Sequence, residues 1–310
     1  MSTTPGVTKR SAAAFLIRIA KLGVSIGYFL VSHGSFRLRR LLGKPTGGSG
    51  VVLYYHSVPR RYRQRFGDQM KSVATQVKPI SVCEIDRLPA EDRFVAVTFD
   101  DGLATFVENA VPVLQELNIP ATVFVVTDAL GSKPAWGESY YDAEEQVMSE
   151  AQLRALPDSI TVGSHTLTHP HLPTLNAQAA SREITQPRQK LESIIGRPVT
   201  AFSFPYGEFS DSLVLQCSEA GYERVFTTVP TPINDHTDFL VGRVAADPWD
   251  WRIEFKLKIL GAYCWQSSWQ LAWRRMRQTL SRSPQNPKSD KTERLQTPGK
   301  TVEPHSAVRR

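Results

Sequence analysis

Two acidic residues in succession, Asp100 and Asp101, close the apolar run 94–99 and are followed by Gly102. Two histidines four residues apart, His165 and His169, follow a second such run, 160–163. Two imidazoles and a carboxylate form the ligand set of an open divalent-metal site, with water in the remaining positions. A His-x-x-x-His spacing alone also occurs in many surface and core histidines, and Asp-Gly is a common turn pair. The position of both groups directly after strand-like runs favours the metal. Adjacent carboxylates at a buried strand end repel unless a cation neutralises one. This assigns Asp101, with His165 and His169, to one divalent ion and leaves Asp100 beside it as a base. Zinc is the first expectation for the ion; cobalt, manganese and nickel also suit the donors.

These residues need a scaffold that brings distant strand ends together. Short apolar, β-branched runs recur at 51–56, 94–99, 121–126, 160–163, 200–204, 224–228 and 239–244. Helical patterns lie between them, with Val107, Val111, Leu114 and Leu117 in one, Ile184, Leu191, Ile194 and Ile195 in another, and a shorter one over 213–220. Strands alternating with helices imply a parallel sheet. Seven strands in this length suit an incomplete (β/α)7 barrel, with an open doubly wound sheet as the alternative. No Gly-x-Gly-x-x-Gly turn follows a strand, which argues against a dinucleotide site. Barrel chemistry collects at the C-terminal strand ends. Those ends also carry His56, the Pro205-Tyr206-Gly207 turn, Arg243 and, further on, Asp247.

The strings Thr98-Phe99-Asp100-Asp101-Gly102 and His165-Thr166-Leu167-Thr168-His169 resemble the first two motifs of the polysaccharide deacetylase family (NodB homology, carbohydrate esterase 4). The stretch Phe202-Ser203-Phe204-Pro205-Tyr206-Gly207 is similar to its third motif, and Tyr54-Tyr55-His56-Ser57-Val58 resembles the opening strand of the subgroup acting on exopolysaccharides. The resemblance spans about residues 51–263. It implies a NodB-like barrel and a metal-dependent hydrolase that removes N-acetyl groups from N-acetylhexosamine units of a polysaccharide. It further implies Asp100 as base, Arg243 as its partner, and the backbone N–H of Tyr206, after Pro205, as a donor to the oxyanion. Arg243 also reads as a structural ion pair that orients Asp100. Trp249 and Trp251 read equally as an apolar wall for the acetyl group or as packing residues.

Two departures stand out. Many family members carry an arginine where this chain has Ser203, or Phe204 under a shifted register, and the fifth-motif histidine that serves as acid has no counterpart here. His56 is the first candidate for the acid, level with a reading in which it only orders Asp100. His171 is the second, and reads more simply as an exposed loop residue, as does His236. The other functional readings are a deacylase of a lipid-linked sugar and a glycan-binding module with a decayed site. The complete set of base and metal ligands argues against decay.

The 310 residues carry a net charge of +7, with 41% of them hydrophobic. Much of the positive excess sits in the first 44 and last 40 residues. No zinc-finger or RNA-recognition signature accompanies it, so nucleic acid is not an expected partner. The three cysteines, Cys83, Cys217 and Cys264, are too sparse for a disulfide framework and read as small buried hydrophobes. The expected organisation is an N-terminal segment and linker (1–48), the deacetylase-like domain (49–264), an amphipathic Trp/Arg-rich helix (265–282) and a disordered basic tail (283–310). The segment 12–31 is apolar but contains Arg18 and Lys21. It reads as a basic amphipathic helix at a membrane surface, with a signal-anchor as the competing reading, or as a helix packed on its own domain. In that reading Arg18, Lys21 and Ser25 share one face, and Phe15, Ile19, Leu22, Ile26 and Phe29 the other. The expected partners are an N-acetylated glycan and a membrane surface. The expected location is a bacterial cell envelope, at the inner membrane, with the cytoplasm left open.

Overall fold

The computed structural model describes residues 12–43, 49–87, 93–136, 145–233 and 238–267. The predicted linker at 44–48, His236, the Trp/Arg-rich segment beyond Ser267 and the basic tail lie outside the described residues.

Among the described residues eight parallel strands form the sheet: β1 (Ser49–Tyr55), β2 (Lys78–Ile80), β3 (Arg93–Phe99), β4 (Ala121–Val125), β5 (Ile160–Ser164), β6 (Ala201–Ser203), β7 (Arg224–Thr227) and β8 (Leu240–Ala245). The order runs β1-β8-β7-β6-β5-β4-β3, and β1 pairs with β3 as well, so seven strands close into a ring. This closure excludes the open doubly wound sheet. The remaining strand, β2, pairs with Phe94–Ala96 of β3, while β4 pairs with Val97–Phe99. Its sequence, Lys-Pro-Ile, carries no strand pattern, because proline cannot donate to a ladder and is confined to edges.

The strands are buried on both faces, as in a barrel sheathed by helices. Side chains alternate between two cores. One cluster, which includes Val52, Phe94, Ala96, Phe124, Phe226 and Val241, fills the ring. The larger one, with Leu53, Tyr55, Val97, Phe99, Val123 and Phe202, lies under the helices. Gly163 is required by this packing: a Cβ there would sit 2.5 Å from the Phe124 ring.

Among the described residues the helices are α1 (Ala12–Leu41), α2 (Arg63–Gln76), α3 (Val111–Glu116), α4 (Glu150–Arg154), α5 (Ala177–Ile195), α6 (Asp211–Glu219) and α7 (Arg252–Ile259). The helical pattern that carries Val107, Val111, Leu114 and Leu117 begins instead with a π-helical turn, Phe106–Ala110. Pro112 explains the difference: it lacks an N–H, and its ring crowds the carbonyl four residues back. Helix α5 starts at the Asn176 side chain, which accepts from Ala179 N, and stops at Gly196 with φ 69°.

Helix α1 runs ten residues beyond the predicted segment 12–31. Its faces also differ from expectation. Leu22 and Phe29 pack on the domain together with Arg18 and Ser25, whereas Lys21 is exposed. At 3.6 residues per turn, positions 18, 22, 25 and 29 form one stripe. Cys217 and Cys264 are buried, but Cys83 is exposed. It sits in the turn Val82–Arg87, whose Val82 and Ile85 take the interior positions.

Candidate active site

Strand β3 ends in a sharp turn. Asp101 and Gly102 both adopt left-handed conformations, with φ 69° and 68°. A Cβ at Gly102 would also crowd Val125 at 3.2 Å. The Asp-Gly pair is therefore a turn and a site element at once. After β5, Thr166 and His169 are left-handed too, with φ 72° and 61°. This loop is stapled to α5: the Glu183 carboxylate accepts from the N–H groups of Leu167 and Thr168 and from the Thr168 hydroxyl. Of the five non-glycine residues with positive φ among the described residues, four are Asp101, Thr166, His169 and Tyr206. Strained backbone of this kind persists where the surroundings over-determine it, and it clusters at functional sites.

These turns bring Asp101, His165 and His169 together. Their ligand atoms lie within 4.8 Å of one another, and all three residues are buried. Asp101 Oδ1 is 3.5 Å from His165 Nε2 and 3.3 Å from His169 Nε2. His165 Nδ1 is 2.8 Å from the Ser203 carbonyl oxygen, which can only accept. Nδ1 therefore donates to that carbonyl, and Nε2 is the ring nitrogen that faces Asp101. Burial pushes the pKa of His169 down to about 2, which keeps that ring neutral as a metal ligand must be. The ring is held by stacking on Trp136 at 4.6 Å and by the edge of Tyr206 at 4.7 Å. Two imidazole nitrogens and a carboxylate in a shared pocket fit a divalent ion of the zinc type.

Beside this set, Asp100 forms a two-pronged pair with Arg243, at 2.7 Å (Nη1 to Oδ1) and 2.8 Å (Nη2 to Oδ2). Arg243 is completely buried inside the ring. It also donates to the Ser203 hydroxyl at 2.7 Å and the Thr98 hydroxyl at 3.1 Å, and the Tyr54 ring lies 4.8 Å from its guanidinium carbon. Burial alone would raise the Asp100 pKa, but the Arg243 charge, His165 and the Arg243 hydrogen bonds outweigh it and hold the carboxyl at about 2. Asp100 is therefore an anion at any physiological pH. The Ser203 hydroxyl is absorbed into this network.

The cleft above measures about 310 Å³ and is lined by Tyr54, His56, Asp100, Asp101, Trp136, His165, His169, Phe204, Tyr206, Gly207 and Thr228. That is the small end of the range for ligand pockets, about 300–1,000 Å³. His56 is exposed at its mouth, edge-on to Tyr54. Tyr206, with φ 57°, forms part of the wall, while Pro205 is buried outside the lining. His171 stacks on Tyr206 at 4.0 Å and pairs with Glu208. Trp249 is not part of the cleft. The turn after β8 is tied to α2 by Gln69 donating to Asp247 O, which sets Trp249 against Tyr62 at 5.5 Å. Trp251 packs against Phe15 and Arg18.

Sequence reasoning missed Trp136. It donates to Asp101 Oδ1 at 3.2 Å while stacking on His169. It stands in a long connection with no periodic pattern, so nothing in the spacing marks it. Glu183 was missed as a site support because its helical position explains it fully. Replacing Glu183 with alanine is expected to loosen the His165–His169 loop and weaken zinc affinity roughly tenfold, the scale for residues that orient ligands. Calorimetric zinc titration of the variant, with a circular-dichroism check of its fold, measures this; unchanged affinity would make the staple a folding element only.

A parallel barrel with an Asp-His-His cluster at its C-terminal rim defines a (β/α) barrel protein with a candidate metal centre. Residues 87–225 match the polysaccharide deacetylase family model. The chain is similar to YxkH of Bacillus subtilis, with 27% identity over 210 residues covering 64% of this chain and 71% of that protein. It is also similar to the poly-beta-1,6-N-acetyl-D-glucosamine N-deacetylase of Staphylococcus epidermidis, with 26% identity over 151 residues covering 47% of this chain and 52% of that protein. The fold resembles that of IcaB from Ammonifex degensii, with a TM-score of 0.56, 24% identity, and coverage of 71% of this chain and 99% of that one.

Proposed function

We propose that the chain hydrolyses the acetamido group of N-acetylhexosamine units in an envelope polysaccharide, releasing acetate and leaving a free amine on the sugar. The observation that carries this reading is the meeting, in one cleft, of the Asp101/His165/His169 set with an ionised, arginine-clamped Asp100. Asp101, His165 and His169 would hold a divalent ion, zinc first. Bound there, the ion supplies Lewis acidity toward the acetyl oxygen and toward water.

Asp100 accepts the proton of the attacking water. A carboxylate with a pKa of about 2 is a weak base, so its competence depends on an acidified water. Base and metal set are therefore a functional unit. Arg243 keeps Asp100 ionised and fixes both its oxygens, each of which retains a further lone pair. The Tyr206 N–H donates to the developing oxyanion, a role supported by the left-handed turn that sets Tyr206 in the cleft wall. The bond between carbonyl carbon and nitrogen then breaks, and the nitrogen takes up a proton from His56 at the mouth. His56→Gln is expected to lower kcat about 100-fold or more with zinc content unchanged. A rate equal to wild type would assign the proton to solvent.

The similarity to the staphylococcal enzyme favours a β-1,6-linked N-acetylglucosamine polymer as substrate. The test is acetate release by the zinc-loaded full chain from β-1,6- and β-1,4-linked N-acetylglucosamine oligomers. Release, faster from the β-1,6 series, supports the reading. Release only from the β-1,4 series overturns the linkage, and zinc binding with no release from either overturns the activity.

A further inference from the structure

Helix α1 turns its mixed polar stripe inward and its apolar stripe outward, the reverse of a helix that merely covers a soluble domain. The inward stripe runs Arg18, Leu22, Ser25, Phe29, His33, Phe36. Arg18 pairs with Glu254, lies 3.7 Å from the Asp250 carboxylate and stacks over Trp251 at 4.3 Å. Ser25 is fully buried and accepts from Trp265 Nε1 at 2.9 Å. The Phe36 ring lies 5.3 Å from the Arg93 guanidinium carbon, at the start of β3. The opposite stripe, Leu16, Val24, Val31 and Leu38, is exposed, with Leu16 at 65% and Val31 at 74%. By length and composition alone α1 could cross a membrane.

We propose that this outward stripe lies in the surface layer of an anionic lipid bilayer, with α1 parallel to the membrane plane. Three observations select that occupant and orientation. The helix has no acidic residue, and Lys21, Arg37 and Arg39 are exposed along the margins of the stripe, which suits anionic headgroups. The contacts with the barrel extend from Arg18 to Phe36, roughly 27 Å of helix. A spanning helix would break them or draw Asp250 and Glu254 into hydrocarbon, so the helix lies flat. A second copy is disfavoured, because a two-fold contact would set two wholly basic helices face to face. The arginine in the middle of the apolar segment, which is costly inside a bilayer, is thus the bolt that fixes the helix to the domain. The Arg18 end lies at the turn after β8, at the same end of the barrel as the cleft. The proposal does not depend on the reaction.

The test is co-sedimentation of the full chain with vesicles of phosphatidylcholine alone and of phosphatidylcholine mixed with phosphatidylglycerol. Binding to the mixed vesicles is expected. Leu16→Glu/Val31→Glu should weaken it about tenfold or more, while acetate release from soluble oligomers stays at the wild-type rate. Leu215→Glu, the same change at an exposed leucine on α6, should leave binding intact. A cleavable tag placed before Met1 should remain open to protease on sealed vesicles. A wild-type chain that stays in solution, or a double variant that binds as well as wild type, overturns the proposal. So does a wild-type dimer that Leu16→Glu/Val31→Glu converts to monomer, and a protected tag would show a spanning helix instead.

Discussion

Asp100→Asn is expected to reduce kcat for acetate release about 100- to 10,000-fold while leaving zinc bound. The range is that of a positioned general base. The substitution keeps size and shape and removes the charge. Asp101, His165 and His169 are unaltered, so metal content should match wild type. The Arg243 guanidinium keeps the Ser203 and Thr98 hydroxyls as acceptors and can still reach the asparagine carbonyl oxygen. The variant should therefore fold, with some loss of stability because a buried cation has lost its counter-charge. Zinc analysis and acetate release measured on one preparation separate the two roles. A variant that keeps its zinc and its rate would remove Asp100 from the mechanism. One that loses its zinc would make Asp100 a ligand.

Arg243→Met is expected to be the most destabilising change in the site. Arg243 and Asp100 form an ion pair with no exposure on the arginine side and almost none on the carboxylate. Removing one partner of such a pair costs about 3–5 kcal/mol, because the remaining charge is left buried and alone. For a domain of this size that corresponds to a fall in Tm on the order of 10 °C. Methionine fills the aromatic-lined space between Tyr54, Phe124 and Phe226 without strain. The double variant Asp100→Asn/Arg243→Met should recover much of the loss, since it removes both charges, yet remain as inactive as Asp100→Asn. Thermal unfolding of the four proteins completes the cycle. Independent, additive effects of the two substitutions would contradict a coupled pair.

The barrel was legible because parallel strands buried on both faces must read as short apolar runs, and all seven ring strands do. The metal set was legible for the same reason: polar residues that end such runs, Asp101 and His165, stand out. Arg243 was legible as a strand-end residue, but its depth was not. It belongs to the alternation of β8, one position beyond Val241 on the inward face, and the neutralising partner that permits its burial lies 143 residues away. Trp136 was invisible because its two contacts, with Asp101 and His169, come from a connection whose path only the tertiary structure sets. The sequence left Trp249 level between cleft wall and packing residue, because the turn after β8 is decided by a hydrogen bond from Gln69 on α2, a helix without a strong apolar pattern. The orientation of α1 was half legible. Its apolarity was plain, but Arg18 reads as a solvent-facing charge until Asp250 and Glu254, more than two hundred residues on, are brought beneath it.

The central claim is that Asp101, His165 and His169 hold an ion on which hydrolysis depends. It is tested most directly by stripping the full chain of metal, titrating it with Zn²⁺, and following acetate release from N-acetylglucosamine oligomers, with His165→Ala alongside. The expected result is no release from the stripped chain, recovery that saturates at one ion per chain, and no recovery in the variant. Release that survives stripping, or that returns equally in His165→Ala, would contradict it.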